Sequence, residues 1–145
     1  MSKVEDFLTT KEEQEIVKTI RQAEKTTSGE IRVHIETTSY KNHFDRALEV
    51  FHLLKMFETK DRNGVLIYIA VNDKKFIIYG DKGINAVVPK KFWESTKNAI
   101  EKQFKLRKFK QGIIDGILKA GKELQTHFPL KSNDIDELSN EISKG

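Results

Sequence analysis

Apolar residues recur along this chain with two different periods, one typical of helices and one typical of strands. Helical spacing predicts four helices, at about residues 11–25, 43–58, 89–104 and 110–125. A capping box precedes the first of them, formed either by Thr10 with Glu13 or by Thr9 with Glu12. Pro89 begins the third helix, where its missing N–H group leaves no helical hydrogen bond unmade.

Strand periodicity occurs in three segments between the predicted helices. Apolar and polar residues alternate over residues 31–37, which predicts a strand with one buried face and places His34 on its polar face. Residues 65–71 are apolar without interruption, which predicts a central strand covered on both faces. A short hairpin loop at 72–74 then turns the chain, and residues 75–79 return antiparallel.

These elements predict an α/β fold, a three-layer sandwich in which about four helices flank a small mixed sheet. The first strand, the second helix and the second strand form a parallel crossover unit, and the third strand pairs as a hairpin. Residues 1–128 form one domain, since no linker or repeat divides them. Residues 129–145 are a polar tail that forms a short helix, capped by Asn133 or Asp134, or stays disordered.

Composition narrows the chemistry that this domain is able to perform. A chain of 145 residues buries about two-thirds of its unfolded surface, so it folds without disulfides or metals. The absence of cysteine excludes thiolate nucleophiles and thiolate metal sites, and the four histidines have no HExxH spacing. No apolar segment follows the N-terminus, so we expect no membrane association and a cytoplasmic location. The net charge of +4 permits an acidic partner without requiring one.

The directions of the three predicted strands gather polar residues at one edge of the sheet. The first two strands begin at this edge and the third ends there, so Glu30, Asp61, Asn63 and Asp81 converge although they are distant in sequence. We call these four residues the acidic rim. Hard divalent cations prefer oxygen ligands, and Ca²⁺ takes about six to eight of them. The acidic rim is therefore a candidate site for Ca²⁺ or Mg²⁺.

Two other interpretations of the polar residues stay open. Acids at strand ends are often solvated, or are paired with cations such as Lys60, Arg62 and Lys82. Ligands of parallel sheets also bind at the carboxyl ends of the strands, an edge with fewer acids and no glycine that ranks second. The polar residues there are Glu36, Thr37, Thr38, Tyr40, Asn72 and Asp73.

Residues 102–110 form the most basic segment, with five cations, no acid and aromatic residues between them. Such a segment is suited to contact nucleic acid or an acidic protein. It also fits a helix end whose cations complement the helix dipole and whose aromatic side chains pack in the core. We favour the second interpretation because the apolar spacing already fits packing, and we do not expect nucleic acid to be a partner.

Known catalytic motifs are missing from the chain. It has no P-loop, no glycine-rich dinucleotide loop after a strand and no GxSxG elbow. A cysteine-based phosphatase is excluded. Ser28 has no histidine near it in sequence, so a turn residue is the better interpretation than a nucleophile. No residue is therefore assigned a catalytic role.

Four segments together resemble one known family. TSGEIRV at 27–33, DRNGVL at 61–66, YGDKGI at 79–84 and KFKQGI at 108–113 are similar, in this order, to the TPM domain. A thylakoid-lumen acid phosphatase, a photosystem II repair protein and a nematode receptor modulator share this domain. The resemblance covers about residues 10–126.

The resemblance implies an α/β sandwich that binds divalent cations, calcium in particular, at the acidic rim. Glu30, Asp61 and Asp81 fall in the matching segments, and Asn63 lies beside them. It also implies phosphatase activity in some members. As the partner of the rim we expect a protein or a phosphorylated ligand. We expect the chain to differ from the family in lacking an export signal and a membrane anchor. It also has Gly80-Asp81-Lys82-Gly83 where the family usually shows Gly-x-Gly, which adds an acid to the rim.

Overall fold

The computed structural model describes residues 7–130 and 140–145 of the chain. Five α-helices, one 3₁₀ helix and four strands occur in these residues. In chain order they are α1 (Thr10–Glu24), β1 (Glu30–Glu36), α2 (His43–Leu53), the 3₁₀ helix (Met56–Glu58), β2 (Gly64–Ala70), β3 (Lys75–Gly80), α3 (Lys82–Asn85), α4 (Glu94–Lys105), α5 (Phe109–His127) and β4 (Ser143–Lys144).

The strands form one mixed sheet in the order β3-β2-β1-β4. β1 and β2 are parallel and are connected through α2, whereas β3 returns antiparallel to β2. The predicted parallel crossover and hairpin are thus confirmed. The sequence did not predict β4, which pairs in parallel with β1 at the far edge of the sheet. The helix that Asn133 or Asp134 was expected to cap lies outside the described residues.

Helices cover both faces of the sheet, which confirms the three-layer α/β sandwich. On one face, α1, α4 and α5 bury a large apolar cluster against β1, β2 and β3. On the other face, α2 and the 3₁₀ helix pack on β2 around Phe51 and Met56. All seven residues of β2 are buried, as expected for a central strand.

Two helices differ from their predicted bounds. α2 ends at Leu53 instead of continuing to residue 58, because Lys55 adopts a left-handed conformation with φ of 55° and starts the 3₁₀ helix. α4 begins at Glu94 rather than at Pro89. Residues 89–93 form turns instead, in which the N–H of Phe92 donates to the carbonyl of Pro89 at 3.1 Å.

The prediction that β1 buries only one face was wrong. Six of its seven residues are buried, including His34 at 5% exposure. Alternation of apolar and polar residues alone cannot show that both faces of a strand are buried, because polar residues also occupy buried faces when they have hydrogen-bond partners. His34 has such partners in Glu36 and Ser143.

Glycines allow α4 and α5 to approach closely. A Cβ atom at Gly112 would lie 2.6 Å from the Phe104 ring, and one at Gly116 would lie 2.6 Å from Ile100 Cδ1. This close approach of the two helices offsets the low helix propensity of glycine.

Candidate functional site

The start of β1, the start of β2 and the end of β3 meet at one edge of the sheet. Glu30 pairs with Gly64 in the sheet register, and the N–H of Asp81 donates to the carbonyl of Gly64 at 3.0 Å. Glu30 and Asp81 therefore flank the same residue of β2. Both are buried at 2% exposure, and Asn63 is buried at 1%. The structure brings these three residues together at the edge expected from strand direction.

Asp81 forms a bidentate ion pair with Arg62. Arg62 Nε lies 2.7 Å from Asp81 Oδ2, and Arg62 Nη2 lies 3.0 Å from Asp81 Oδ1. Oδ1 also accepts the N–H of Lys82 at 2.8 Å and so caps α3. The Asp81 carboxylate holds the pKa of Arg62 above its ordinary value. The ion-pair interpretation of the sequence thus applies to Asp81, with Arg62 as its partner.

Asn63 holds the rim together through three of its polar groups. Its backbone carbonyl accepts the N–H of Glu30 at 3.3 Å, and its own N–H donates to Thr59 Oγ1 at 3.2 Å. Its side-chain Nδ2 donates to Ser28 Oγ at 3.2 Å. The remaining oxygen, Asn63 Oδ1, is buried, and no described residue donates a hydrogen bond to it. A buried acceptor without a donor is uncommon and calls for an explanation.

Asp61 differs from the other three rim residues because its side chain is exposed. Its backbone instead packs tightly against α3. A Cβ atom at Gly83 would lie 2.1 Å from the carbonyl oxygen of Asp61, and the Gly83 N–H donates to the carbonyl of Arg62 at 2.9 Å. Gly83 therefore fixes the position of the loop that carries Asp61 and Arg62.

No group of three or more histidine, aspartate and glutamate side chains that could hold a metal ion occurs in the part of the chain that the structure describes. The acidic rim is thus a mixed set of oxygens. Glu30 and Asp81 contribute buried carboxylates, Asn63 contributes an amide oxygen, and Asp61 contributes an exposed carboxylate. Such a set suits a hard cation in chemical type but is not a ready-made cage of acids.

A larger polar network lies near the opposite end of β1, around Glu36. Arg46 of α2 binds Glu36 through Nε at 3.0 Å and Nη2 at 2.8 Å, and it binds Glu49 at 2.5 Å. Tyr68 donates its hydroxyl to Glu36, and His34 Nε2 lies 3.1 Å from Glu36 Oε1. Glu36 is 4% exposed, so this network is a buried connection between β1, β2 and α2.

Burial and hydrogen bonding act in opposite directions on the groups of this network. Burial by itself would raise the pKa of Glu36, but hydrogen bonds from Arg46, Tyr68 and His34 outweigh it and lower that pKa to about 2. Burial lowers the pKa of His34, with Glu36 opposing the shift. Burial also raises the pKa of Tyr68, and its bond to Glu36 adds to the rise.

Asp73 organises the loops beside this network. It accepts Thr38 Oγ1 at 2.5 Å, the N–H of Ser39 at 2.9 Å and His43 Nε2 at 2.9 Å. The bond from Thr38, followed by the other two, lowers the pKa of Asp73 to about 2. The carboxyl end of the parallel strands is therefore occupied by the protein's own hydrogen bonds.

The link between His34, Glu36 and Arg46 was not predicted from the sequence. His34 and Glu36 are two residues apart and so share a face of β1, which was a detectable signal. The assumption that this face was solvated hid it.

No helix in the described residues combines the length and the apolar character needed to cross a membrane.

A family model described as the TPM domain matches residues 1–123 of the chain. No curated protein sequence matches the chain. The family match covers every residue of the acidic rim.

Solved structures support the same fold. The BA42 protein of the psychrophilic bacterium Bizionia argentinensis, determined by NMR, is 64% identical, and the match covers 100% of both chains with a TM-score of 0.94. The N-terminal domain of a P. gingivalis protein is 15% identical, with a TM-score of 0.70 over 84% of this chain and 79% of that one. The N-terminal domain of Corynebacterium glutamicum cg2496 is 9% identical, with a TM-score of 0.65 over 81% and 74%. The last two show the shared fold alone.

Proposed function

The chain belongs to the TPM domain family, and we propose that it binds a divalent cation, Ca²⁺ or Mg²⁺, at the acidic rim. The observation that carries the proposal is Asn63 Oδ1, a buried oxygen that receives no hydrogen bond from the described residues. The backbone carbonyl of Asn63 accepts the N–H of Glu30, and the next residue, Gly64, accepts the N–H of Asp81 through its own carbonyl. A cation would provide the positive partner that this oxygen lacks.

Arg62 would compete with the cation for Asp81. Its guanidinium binds both carboxylate oxygens of Asp81, so a cation has to displace it to gain that ligand. The Arg62 side chain is 34% exposed, whereas the Asp81 side chain is 3% exposed. The arginine is thus the partner that is able to move into solvent. We propose that Glu30, Asp81, Asn63 and Asp61 hold the cation once Arg62 has moved away.

A cation at the rim would give this edge a function beyond stability. It would replace a guanidinium by a compact positive charge with open coordination positions, which attract carboxylate or phosphate groups. A ligand or a protein partner that carries such a group would then bind at the rim.

A calcium titration followed by amide NMR tests this proposal. Shifts are expected at residues 28–30, 59–64 and 79–84. Asp81→Asn should weaken binding by about tenfold or more because it removes a charged ligand. Arg62→Gln should strengthen binding, since no guanidinium then has to be displaced.

Asp45→Asn is the matched control. Asp45 is an exposed acid in α2, so its substitution removes the same charge as Asp81→Asn, but far from the rim. It should leave the affinity unchanged. The proposal is wrong if no shifts occur, if they cluster elsewhere, or if Asp81→Asn and Asp45→Asn behave alike.

Hydrolysis of a phosphomonoester at the same edge is a second candidate function. It is favoured by the hydroxyl of Ser28, which lies 3.2 Å from Asn63 Nδ2 at the rim. A bound cation would polarise a phosphoryl oxygen or activate water, and Asp81 would act as the base. Turnover of p-nitrophenyl phosphate with added Ca²⁺ or Mg²⁺ measures this activity. Turnover that survives both Glu30→Ala and Asp81→Ala would exclude the proposal.

A further inference from the structure

β3 is an edge strand of the sheet, with β2 on one side only. The bond from the Asp81 N–H to the Gly64 carbonyl fixes the alternation of the antiparallel ladder. It follows that the backbone N–H and C=O groups of Phe76 and Ile78 point away from β2. Gly80, of the same parity, offers its carbonyl outward to Asn85 Nδ2 at 3.2 Å. No hydrogen bond from a described residue reaches the outward groups of Phe76 and Ile78.

A cavity of about 950 Å³ follows this open edge, within the range of about 300–1,000 Å³ that is usual for ligand pockets. It extends to both layers of helices. Phe44 of α2 lines it on one side of the sheet, and Phe104, Phe109 and Phe7 line it on the other. Phe44 is 50% exposed, although it is a large apolar side chain. We call this cavity the edge groove.

The charges around the edge groove are almost all of one sign. Five cations line it against a single acid, Glu101, which is itself paired with Lys105 at 3.0 Å. All five cations are exposed. Positive charges therefore surround the aromatic interior of the edge groove. The five cations are Lys74, Lys75, Lys97, Lys105 and Arg107.

We propose that the edge groove binds an acidic peptide in extended conformation, which joins the sheet as a strand beside β3. The unpaired backbone groups of Phe76 and Ile78 supply hydrogen bonds that do not depend on sequence. Side chains of an added strand alternate between the two faces. One set would pack near Phe76 and Phe104, whose rings are 5.6 Å apart, and the other near Phe44.

Charge complementarity identifies the partner as acidic. Lysines on an edge strand also discourage unwanted pairing between chains. That role does not account for the aromatic cavity, nor for Lys97, Lys105 and Arg107, which lie on and after α4 and still face the same groove. The groove lies at the hairpin end of β2, away from the acidic rim, so neither proposal depends on the other.

Selection from a random twelve-residue peptide library on the immobilised full chain provides the probe. Selected peptides should be acidic, with alternating apolar residues. When the best of them is synthesised and added to the ¹⁵N-labelled chain, amide shifts should cluster at 74–78, and the amides of Phe76 and Ile78 should gain protection from hydrogen exchange.

Two pairs of variants separate the contributions of charge and of backbone hydrogen bonding to peptide binding. The double variant Lys75→Glu with Lys97→Glu should bind the peptide about tenfold more weakly, or weaker still. The control, Lys119→Glu with Lys122→Glu, makes the same change in net charge on exposed positions of α5 outside the groove, and should weaken it by less than about threefold. Phe76→Pro removes an outward N–H at a position where an edge strand tolerates proline. Phe76→Val is its control, because it also removes the aromatic ring but keeps the N–H. The Phe76→Pro variant should bind the peptide more weakly than the Phe76→Val variant.

Four results of the peptide experiments would overturn the proposal. They are a selection that enriches no acidic peptides, amide shifts away from β3, equal losses in the two charge variants, and unchanged exchange at Phe76 and Ile78. The last measurement uses the unaltered chain, so it stands even if Phe76→Pro does not fold. The proposal is also rejected if oligothymidylate, and not the peptide, binds at the groove, because the partner would then be a nucleic acid.

Discussion

Arg46 and Arg62 each neutralise a buried carboxylate, but they do so under different conditions. Arg46 is 16% exposed and binds two acids, Glu36 and Glu49. Arg62 is 34% exposed, and the ion pair that the structure shows for it is with Asp81. A pair with more bonds and less water is harder to open. This difference is why we place cation exchange at Asp81 and a structural role at Glu36.

The Glu36 network should make stability depend on pH. The pKa of Glu36 is about 2 in the folded protein against an ordinary value of 4.5. The unfolded state therefore binds the proton more readily, and the carboxylate contributes about 3 kcal/mol that is complete above about pH 5 and lost as the pH falls to about 2. His34, whose pKa is also lowered, acts in the same direction from about pH 6.5 downward. Urea unfolding at several pH values measures this dependence.

Glu36→Gln tests the assignment. The variant should lose about 2–4 kcal/mol at neutral pH, because Arg46 keeps its charge but loses its buried partner. Its stability should also change less between about pH 5 and pH 2 than that of the unaltered chain. Glu101→Gln, at a side chain that is 55% exposed, should do neither. A Glu36→Gln variant with an unchanged pH profile would contradict the assignment.

Elements of the fold were predictable where apolar spacing is strong. The bounds of α1, β1, β2 and β3 differ by no more than two residues from those observed, because each buries a continuous apolar face. The missed elements are short and depend on tertiary contacts. α3 has four residues and is capped by Asp81, and β4 has two residues, which pair with β1.

The candidate site shows the same division. Strand direction alone predicted that Glu30, Asp61, Asn63 and Asp81 would lie at one edge, because chain direction fixes which ends of strands share an edge. Arg62, which makes the bidentate contact with Asp81, has a left-handed backbone with φ of 50°, and no sequence period encodes that conformation.

Gly83→Ala should show how tightly the rim loop is held by α3. The new methyl group would meet the backbone carbonyls of Asp61 and Arg62 at 2.1 and 2.5 Å, which cannot rotate away as a side chain does. We expect overpacking to lower the free energy of unfolding by about 2–3 kcal/mol and to shift the amide signals of Asp61–Asn63. Thermal unfolding and NMR measure the two effects.

Gly112→Ala is the matched substitution in a helix. Its methyl group would meet the ring of Phe104 at 2.6 Å, which belongs to a half-buried side chain that is able to shift. Alanine also gains about 1 kcal/mol of helix propensity over glycine. Gly112→Ala should therefore cost less than Gly83→Ala. The reverse order would show that the rim loop moves freely.

For the molecule as a whole, polar chemistry is divided between the two ends of one sheet. The acidic rim lies where β1 and β2 begin, and the Glu36 network lies where they end. β4 closes the second end. Ser143 Oγ lies 3.0 Å from His34 Nδ1, and the N–H of Gly145 donates to the carbonyl of Ile35 at 2.9 Å. The last residues of the chain thus shield a buried histidine from water.

Removing residues 141–145 should therefore change the titration of His34. Burial is the main reason that its pKa is lowered, so admitting water should move that pKa up towards 6.5. Histidine Cε1–H NMR signals recorded against pH measure the shift, and the amides of β1 should exchange faster as well. Lys144→Ala is the control, because it removes the ion pair with Glu13 at 2.9 Å and keeps the strand pairing. An unchanged His34 titration after truncation would mean that α2 and Arg46, rather than β4, exclude water from the network.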